Sequence, residues 1–353
     1  METNSTRPAN WSHFPTTRYY GSKRRLLPWI YDISSKISFN SVFDRFGGTG
    51  SVSLLFQNMG KKVTYHDALA SNSISAHALL LANSINKNDV SLFFNAIQPK
   101  DGFISQTFND IYYSNEENQW LDGAVQQIHL LDDGDFKNYS WYCLFQACLK
   151  KRPFNMFHRA NYYLRTANVE RKFGNLTTWN KSFLEHIDVA NKEIYHYSQK
   201  RLPNIIDATI LPSGEMKDQK IDADLVYLDP PYIGKSSCED YFKRYHFLEG
   251  LTCYSEWANL IDGSKATKQI HTPEYLKSWH NKNKFKDILF KEIEKYRHKI
   301  VMLSYQTDGY PKVDSIYDYF VSLFTSVHIE KKPFTHALSK NKKTEVLIIG
   351  FPK

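Results

Sequence analysis

The chain has 353 residues, 42% of them hydrophobic and 15% aromatic, enough apolar material for a buried core, so neither a disordered chain nor a small disulfide-stapled fold fits. Lys and Arg outnumber Asp and Glu by 45 to 37, a formal charge of +8, which favours a polyanionic partner without proving one. Four cysteines without Cys-x-x-Cys or metal-like spacing (Cys143, Cys148, Cys238 and Cys253), no apolar signal core and no run of 18 apolar residues argue against disulfides, bound metal, export and membrane insertion, so a cytoplasmic location is expected.

Residues 41–67 read as strand, glycine loop, helix and strand: SVFD, RFGGTG, SVSLLFQNMG ended by Gly60, then KVTYHD. This is the opening of a Rossmann-like α/β sheet. Residues 86–205 show no comparable strand alternation and many aromatic and basic residues, and are expected to form an inserted, mainly helical domain. The two flanking pieces, 1–85 and 206–353, would then make up the other domain. Continuous apolar runs at 223–229, 299–305, 326–330 and 344–350 suit strands covered on both faces. A helix over 313–325 places Ile316, Phe320, Leu323 and Phe324 on one side, and the lysine-rich segment 250–297 ends in an amphipathic pattern carrying Phe285, Ile288, Leu289 and Ile293.

The loop Asp44-Arg45-Phe46-Gly47-Gly48-Thr49-Gly50 lies between a strand and a helix, where glycine lets the backbone approach a ligand. Asp67, closing the next strand, follows Gly50 by 17 residues, near the spacing of about 20 at which such sheets place a ribose-binding carboxylate. Together they point to a ligand built on a nucleoside. Asp229-Pro230-Pro231-Tyr232 directly follows the apolar strand LVYL, and its two prolines remove N–H donors, leaving the Asp229 carboxylate and the Pro230 carbonyl as acceptors. Two acceptors suit the two hydrogens of an amino group. A conjugated exocyclic amine held this way is freed to attack a sulfonium methyl, and Tyr232 offers a flat surface for the base.

These motifs resemble the Dam-like, alpha-group DNA adenine N6-methyltransferases, in which the cofactor loop precedes the catalytic tetrapeptide and the recognition region lies between them. The stretch RYYGSKRRLL at 18–27 and the segment ending YFKRYHFLEG are similar to motifs of that group. The resemblance implies a Rossmann-like methyltransferase sheet, mostly parallel with an antiparallel C-terminal hairpin, and S-adenosylmethionine as cofactor. It also implies that Lys23 pairs with the cofactor carboxylate beside Tyr19, Asp44 takes the cofactor amino group, Phe46 lines the pocket with Gly48 and Gly50, and Asp67 holds the ribose. Either Asp207 or Ser213-Gly214-Glu215 supplies a polar group near the cofactor adenine.

Residues 150–182 carry eight Lys or Arg against one acid, Glu170, interleaved with Phe154, Phe157, Tyr162, Tyr163 and Trp179. Such a mixture suits double-stranded DNA, with Lys151, Arg152, Arg159, Arg165, Arg171 and Lys172 as candidate contacts. The expected function is transfer of a methyl group to a flipped-out adenine in a restriction-modification or related defence setting, with a cognate restriction endonuclease as an open partner. Three alternatives remain at this level: a cytosine-N4 enzyme, which more often carries Ser-Pro-Pro-Tyr, an RNA base methyltransferase, and a non-catalytic DNA-binding subunit.

Overall fold

A computed structural model of the chain describes residues 13–17, 19–81, 85–170, 176–202, 205–216, 220–234, 240–335 and 342–353. After a 3-10 turn at Lys23–Leu26, the elements begin α1 (Leu27–Ser34), β1 (Ser41–Asp44), α2 (Ser51–Asn58), β2 (Lys62–Tyr65) and α3 (Ala70–Leu80). Seven helices follow: α4 (Lys87–Asn95), α5 (Phe103–Thr107), α6 (Asn115–His129), α7 (Asp135–Lys150), α8 (Tyr163–Thr166), α9 (Leu176–Asn180) and α10 (Phe183–Lys200). The chain then returns to the sheet through β3 (Thr209–Ile210) and β4 (Leu225–Leu228), leaves it for α11 (Tyr241–Thr252), α12 (Trp257–Leu260), α13 (Glu274–Trp279) and α14 (Lys282–Lys295), and ends with β5 (Ile300–Gln306), α15 (Val313–Leu323), β6 (Ser326–Thr335) and β7 (Lys342–Phe351).

The strands form one sheet in the order β3-β2-β1-β4-β5-β7-β6, parallel from β3 to β5 and antiparallel at β5-β7 and β6-β7. The expected α/β sheet with an antiparallel C-terminal hairpin is therefore what the chain forms. Side chains alternate between the two faces. Val42, Tyr227, Met302 and Leu347 join one apolar cluster, whereas their neighbours Phe43, Val226, Val301 and Ile348 join the other. Burial on both faces explains why these strands read as continuous apolar runs rather than as alternating ones.

The second cluster is closed by Phe285, Leu289 and Ile293 of α14 and by Ile316 and Phe320 of α15. The first is continuous from the sheet through α1, α2 and α3 into the helices of the insertion. At its centre α7 is buried from Tyr139 to Lys150 on every side, so it carries no amphipathic stripe. Phe247 of α11 packs on Phe108, Tyr112, Tyr113 and Phe157 of the insertion, so the segment after β4 and the insertion share an aromatic core. No helix among the described residues is long and apolar enough to cross a membrane.

The strand order reverses between β1 and β4, which run side by side with Asp44 opposite Tyr227. A crevice opens beyond the carboxyl ends of strands at such a switch point. Asp44 and Asp229 stand at its two walls.

Candidate active site

The crevice is a cavity of about 560 Å³ whose walls include Tyr19, Lys23, Asp44, Phe46, Gly48, Asp67 and the tetrapeptide Asp229 to Tyr232. It thus gathers into one space residues that lie more than 200 positions apart in the chain. Gly50 is the exception among the candidate cofactor residues: it does not line the cavity, and with φ +71° it serves as the left-handed residue that starts α2. Gly48 also has positive φ, +51°, and a Cβ there would stand 3.8 Å from Tyr19, at the open face of the loop. At Gly47 a Cβ would fall 2.0 Å from the ring of Tyr65, so that residue is fixed by packing behind the loop. The Tyr65 hydroxyl donates to the Gly48 carbonyl (2.7 Å) and thereby holds the loop down on β2.

Asp44 ends β1 with a side chain that is 1% exposed. Its Oδ2 accepts from the Ser53 hydroxyl (2.6 Å), whereas Oδ1 is buried without a hydrogen-bond partner among the described residues. Burial, added to by the nearby Asp229 and Asp67 and opposed by Ser53, pushes the Asp44 carboxyl up to about 7. A buried carboxylate with an unpartnered oxygen at a cavity wall fits a cationic ammonium group. Asp67 is engaged differently: its oxygens accept from the backbone N–H of Gly48 (2.8 Å) and Leu69 (2.8 Å) and from Asn72 (3.0 Å), which orients the carboxylate and ties the glycine loop to β2.

At the other wall four side chains meet. The Lys23 ammonium lies 3.0 Å from Asp229 Oδ1, 2.9 Å from Glu345 Oε1 and 2.8 Å from the Tyr232 hydroxyl oxygen. Burial works against the charge on Lys23, yet the two carboxylates hold its pKa well above the ordinary lysine value. Burial also raises the Asp229 carboxyl, with Lys23 opposing and Glu345 adding to the rise. The Tyr232 hydroxyl has one proton, within reach of Glu345 Oε1 (2.7 Å) and of Asp229 Oδ1 (3.0 Å). Lys23, which the resemblance puts on a cofactor carboxylate, lines the cavity and is paired here with two carboxylates of the protein. Glu345, on β7, escaped sequence reasoning, although an acid inside the apolar strand TEVLIIG was a usable signal.

Helix α11 supports the start of α3 and the ring of Tyr19. Glu249 accepts from the Ala70 and Ser71 N–H groups (both 2.9 Å), capping α3, while the Tyr19 ring stacks between Tyr241 and Tyr245. Of the two candidates preceding the tetrapeptide, Gly214 and Glu215 line the cavity, and Asp207 is instead an exposed partner of Arg201 at 2.9 Å. Trp279, which meets the Phe46 ring edge-on at 5.1 Å, is a cavity residue that no sequence pattern announced.

The basic stretch is divided by burial. Arg152 is fully buried, with its guanidinium donating to the carbonyls of Met156 (3.1 Å) and Arg159 (2.8 Å) and lying 4.3 Å over the Tyr112 ring. Lys151, 1% exposed, pairs with Glu117 at 2.7 Å, and Arg165 forks onto the same carboxylate at 2.6 and 2.8 Å. Burial alone would raise the pKa of Glu117; Arg165 and Lys151 bring it below the ordinary value. The expectation of DNA contacts is therefore corrected for Lys151 and Arg152, whose cationic groups are enclosed and saturated by protein acceptors, and Arg165 is committed to an ion pair. Phe157 and Trp179 are likewise core residues. Arg159 is exposed, as are Tyr163 and Phe154, the last on a left-handed backbone at φ 65°. Arg171, Lys172, Arg18 and Cys238 lie outside the described residues.

Comparison with known proteins gives the arrangement a family. The chain is similar to the Type II methyltransferase M2.HphI of Haemophilus parahaemolyticus, 25% identical over 349 residues that cover 95% of this chain and 97% of that one. It is also similar to the modification methylase StsI of Streptococcus sanguinis (25% identical, covering 92% of this chain and 53% of that one) and to the Type II methyltransferase M.NlaIII of Neisseria lactamica (22% identical, covering 86% and 87%). The family description "D12 class N6 adenine-specific DNA methyltransferase" matches residues 19–301, a span running from Tyr19 through the glycine loop, the insertion and the tetrapeptide into β5. The chain belongs to the D12 class of N6 adenine-specific DNA methyltransferases.

Proposed function

We propose that this DNA methyltransferase takes S-adenosylmethionine into the cavity between β1 and β4 and acts on an adenine rotated out of double-stranded DNA, with Asp229 as the group that receives the amine. The observation that carries the reading is the pairing, in one cavity, of a buried carboxylate with an unused oxygen at Asp44 and a second carboxylate beside two prolines at Asp229. In it, Asp44 holds the cofactor's ammonium, Asp67 its ribose, and Phe46, Trp279 and Glu215 enclose its adenine, with Gly48 giving clearance for the chain of the ligand. The cofactor supplies an electrophilic methyl group on a sulfonium sulfur.

The protein's share is orientation and charge. Asp229 and the Pro230 carbonyl accept the two hydrogens of the adenine amino group, which favours a pyramidal nitrogen with a free lone pair. On accepting the methyl group that the cofactor would supply, the nitrogen would gain positive charge. The Asp229 carboxylate stabilises that charge and stands where the proton must depart. Tyr232, whose hydroxyl is tied to Lys23 and Glu345, keeps its ring as a stacking surface.

Residues 86–205 serve as the target-recognition insertion and 1–85 with 206–353 as the catalytic part. Arg159 makes a phosphate or base contact, and Phe154 and Tyr163 offer exposed rings to the DNA. Buried Arg152 shapes the loop that displays them. The role proposed for it is modification of DNA in the cytoplasm, alongside a restriction endonuclease; its similarity to a protein named a modification methylase supports the first of these. The test is calorimetric titration of the protein and of Asp44→Asn with S-adenosylmethionine, together with methyl transfer to DNA. Unchanged affinity in the folded variant removes Asp44, and with it the proposed orientation of the cofactor.

A further inference from the structure

We propose that Glu345 is a positioning residue for methyl transfer: from β7 it anchors the Lys23 ammonium and the Tyr232 hydroxyl, and through them fixes the direction and charge of the Asp229 carboxylate. This rests on the reading of Asp229 as the group that receives the amine. The geometry is specific. Glu345 Oε1 alone takes both contacts, at 2.9 Å from Lys23 Nζ and 2.7 Å from the Tyr232 hydroxyl, and the same two atoms contact Asp229 Oδ1 at 3.0 Å each. All contacts to Asp229 within this set thus fall on one oxygen. The cluster brings together three separate parts of the chain: the turn after Gly21, the end of β4, and a strand antiparallel to β5.

Glu345 is a poor structural choice for its position. It is 2% exposed in a strand whose following residues, Val346 to Ile349, are all buried and apolar, and its Oε2 is buried with no hydrogen-bond partner among the described residues. An amide or an apolar side chain would fill the space without enclosing a carboxylate. What only a carboxylate supplies is a second anion on Lys23. With Asp229 as its sole anionic partner the ammonium would draw the Asp229 charge fully onto itself. With Glu345 sharing it, the cluster holds one cation against two anions, and Asp229 retains charge to present to an amine.

The charged and titratable groups facing Asp229 are Lys23 from the first turn, Tyr227 on β4, Tyr232, Glu345 on β7 and Asp44 at the end of β1. A nearby anion raises the pKa of a carboxyl group, so removing the Glu345 charge must lower that of Asp229. The expected signature of Glu345→Gln is therefore a kcat reduced roughly tenfold or more with cofactor KM within about twofold of the parent, and an acidic limb of the kcat profile displaced to lower pH. Glu345→Asp, which retains the charge with a shorter reach, should lose rate while its acidic limb stays with the parent. Because the effect passes through Lys23, the double variant Lys23→Met/Glu345→Gln should be about as slow as Lys23→Met alone rather than slower by a further factor.

Single-turnover assays on the full chain with adenine-containing duplex DNA and S-adenosylmethionine, across pH and with Tm recorded for each variant, read these outcomes. A parent that methylates adenine while Glu345→Gln keeps the parental rate and limb overturns the positioning role and leaves the site reading standing. Additive losses in the double variant, a limb shifted equally in Glu345→Asp, or a rate that falls only as the folded fraction falls also overturn it. A parent that makes no N6-methyladenine overturns the site reading itself, and this inference with it.

Discussion

Replacing Asp44 by Asn should make the ligand-free protein more stable at pH 8 while removing most of its affinity for the cofactor. In the folded chain burial holds the Asp44 carboxyl at about 7, against an ordinary value of 3.8 in the unfolded chain. Between those values the folded state keeps a proton that the unfolded state has released, so stability falls as pH rises from about 4 to about 7 and stays at its lower level above that. About three pKa units at ~1.36 kcal/mol each set an upper bound of about 4 kcal/mol on the loss. Asn keeps an oxygen for the Ser53 hydroxyl and has no charge to bury, so its stability should not fall through that window. Urea denaturation of both proteins at pH 5 and pH 8, without cofactor, isolates the effect: about two of the three units fall within that interval, so the parent should lose more stability than Asp44→Asn by between about 1 and 3 kcal/mol. In cofactor titrations at pH 8 the variant should lose about 2–4 kcal/mol, roughly 30-fold to 1000-fold in Kd, since a buried charge partner is gone. Equal pH dependence of the two stabilities, or equal cofactor affinities, refutes the reasoning.

Three further changes separate the roles of neighbouring residues. Asp229→Asn should reduce methyl transfer at least ~100-fold with cofactor affinity within about threefold, measured by single-turnover assay and calorimetry. Arg159→Ala should raise the DNA Kd about tenfold at unchanged Tm and, where the contact is to phosphate, reduce the log-log salt slope by about one, whereas Arg152→Met should cost roughly 2–4 kcal/mol of stability, because the Met156 and Arg159 carbonyls lose their donor. Gly47→Ala should fail to fold or lose cofactor binding, read by Tm and titration, since a Cβ there falls on the Tyr65 ring.

The parts of this molecule that were legible in sequence are those where one physical requirement dominates. SVFD, LVYL and KIVMLSY read as strands because both of their faces are covered. β6 runs to Thr335, past the expected end at Glu330, because an antiparallel edge strand can keep its ladder through Lys331 and Lys332 without an apolar face. β3, two residues long, is too short to leave a pattern. The cavity residues Asp44, Asp67 and Asp229 were legible because each closes a strand or follows one at the same end of the sheet. Lys151 and Arg152 were misread for the opposite reason: charge along the chain does not record whether a cation faces phosphate or backbone carbonyls, and Tyr112, Glu117 and Met156, which enclose them, are brought there only by folding. Glu345 and Glu249 escaped for the same cause, as each acts on residues more than 100 positions away.

The central claim is that this cavity transfers a methyl group to the amino nitrogen of adenine by means of Asp229. Duplex DNA incubated with the protein and S-adenosylmethionine carrying a labelled methyl group, then digested to nucleosides and resolved by mass spectrometry, addresses it most directly. The account predicts label in N6-methyldeoxyadenosine for the parent and its near absence for folded, cofactor-binding Asp229→Asn. Label in N4-methyldeoxycytidine, or equal labelling of adenine by the parent and by Asp229→Asn, would contradict it.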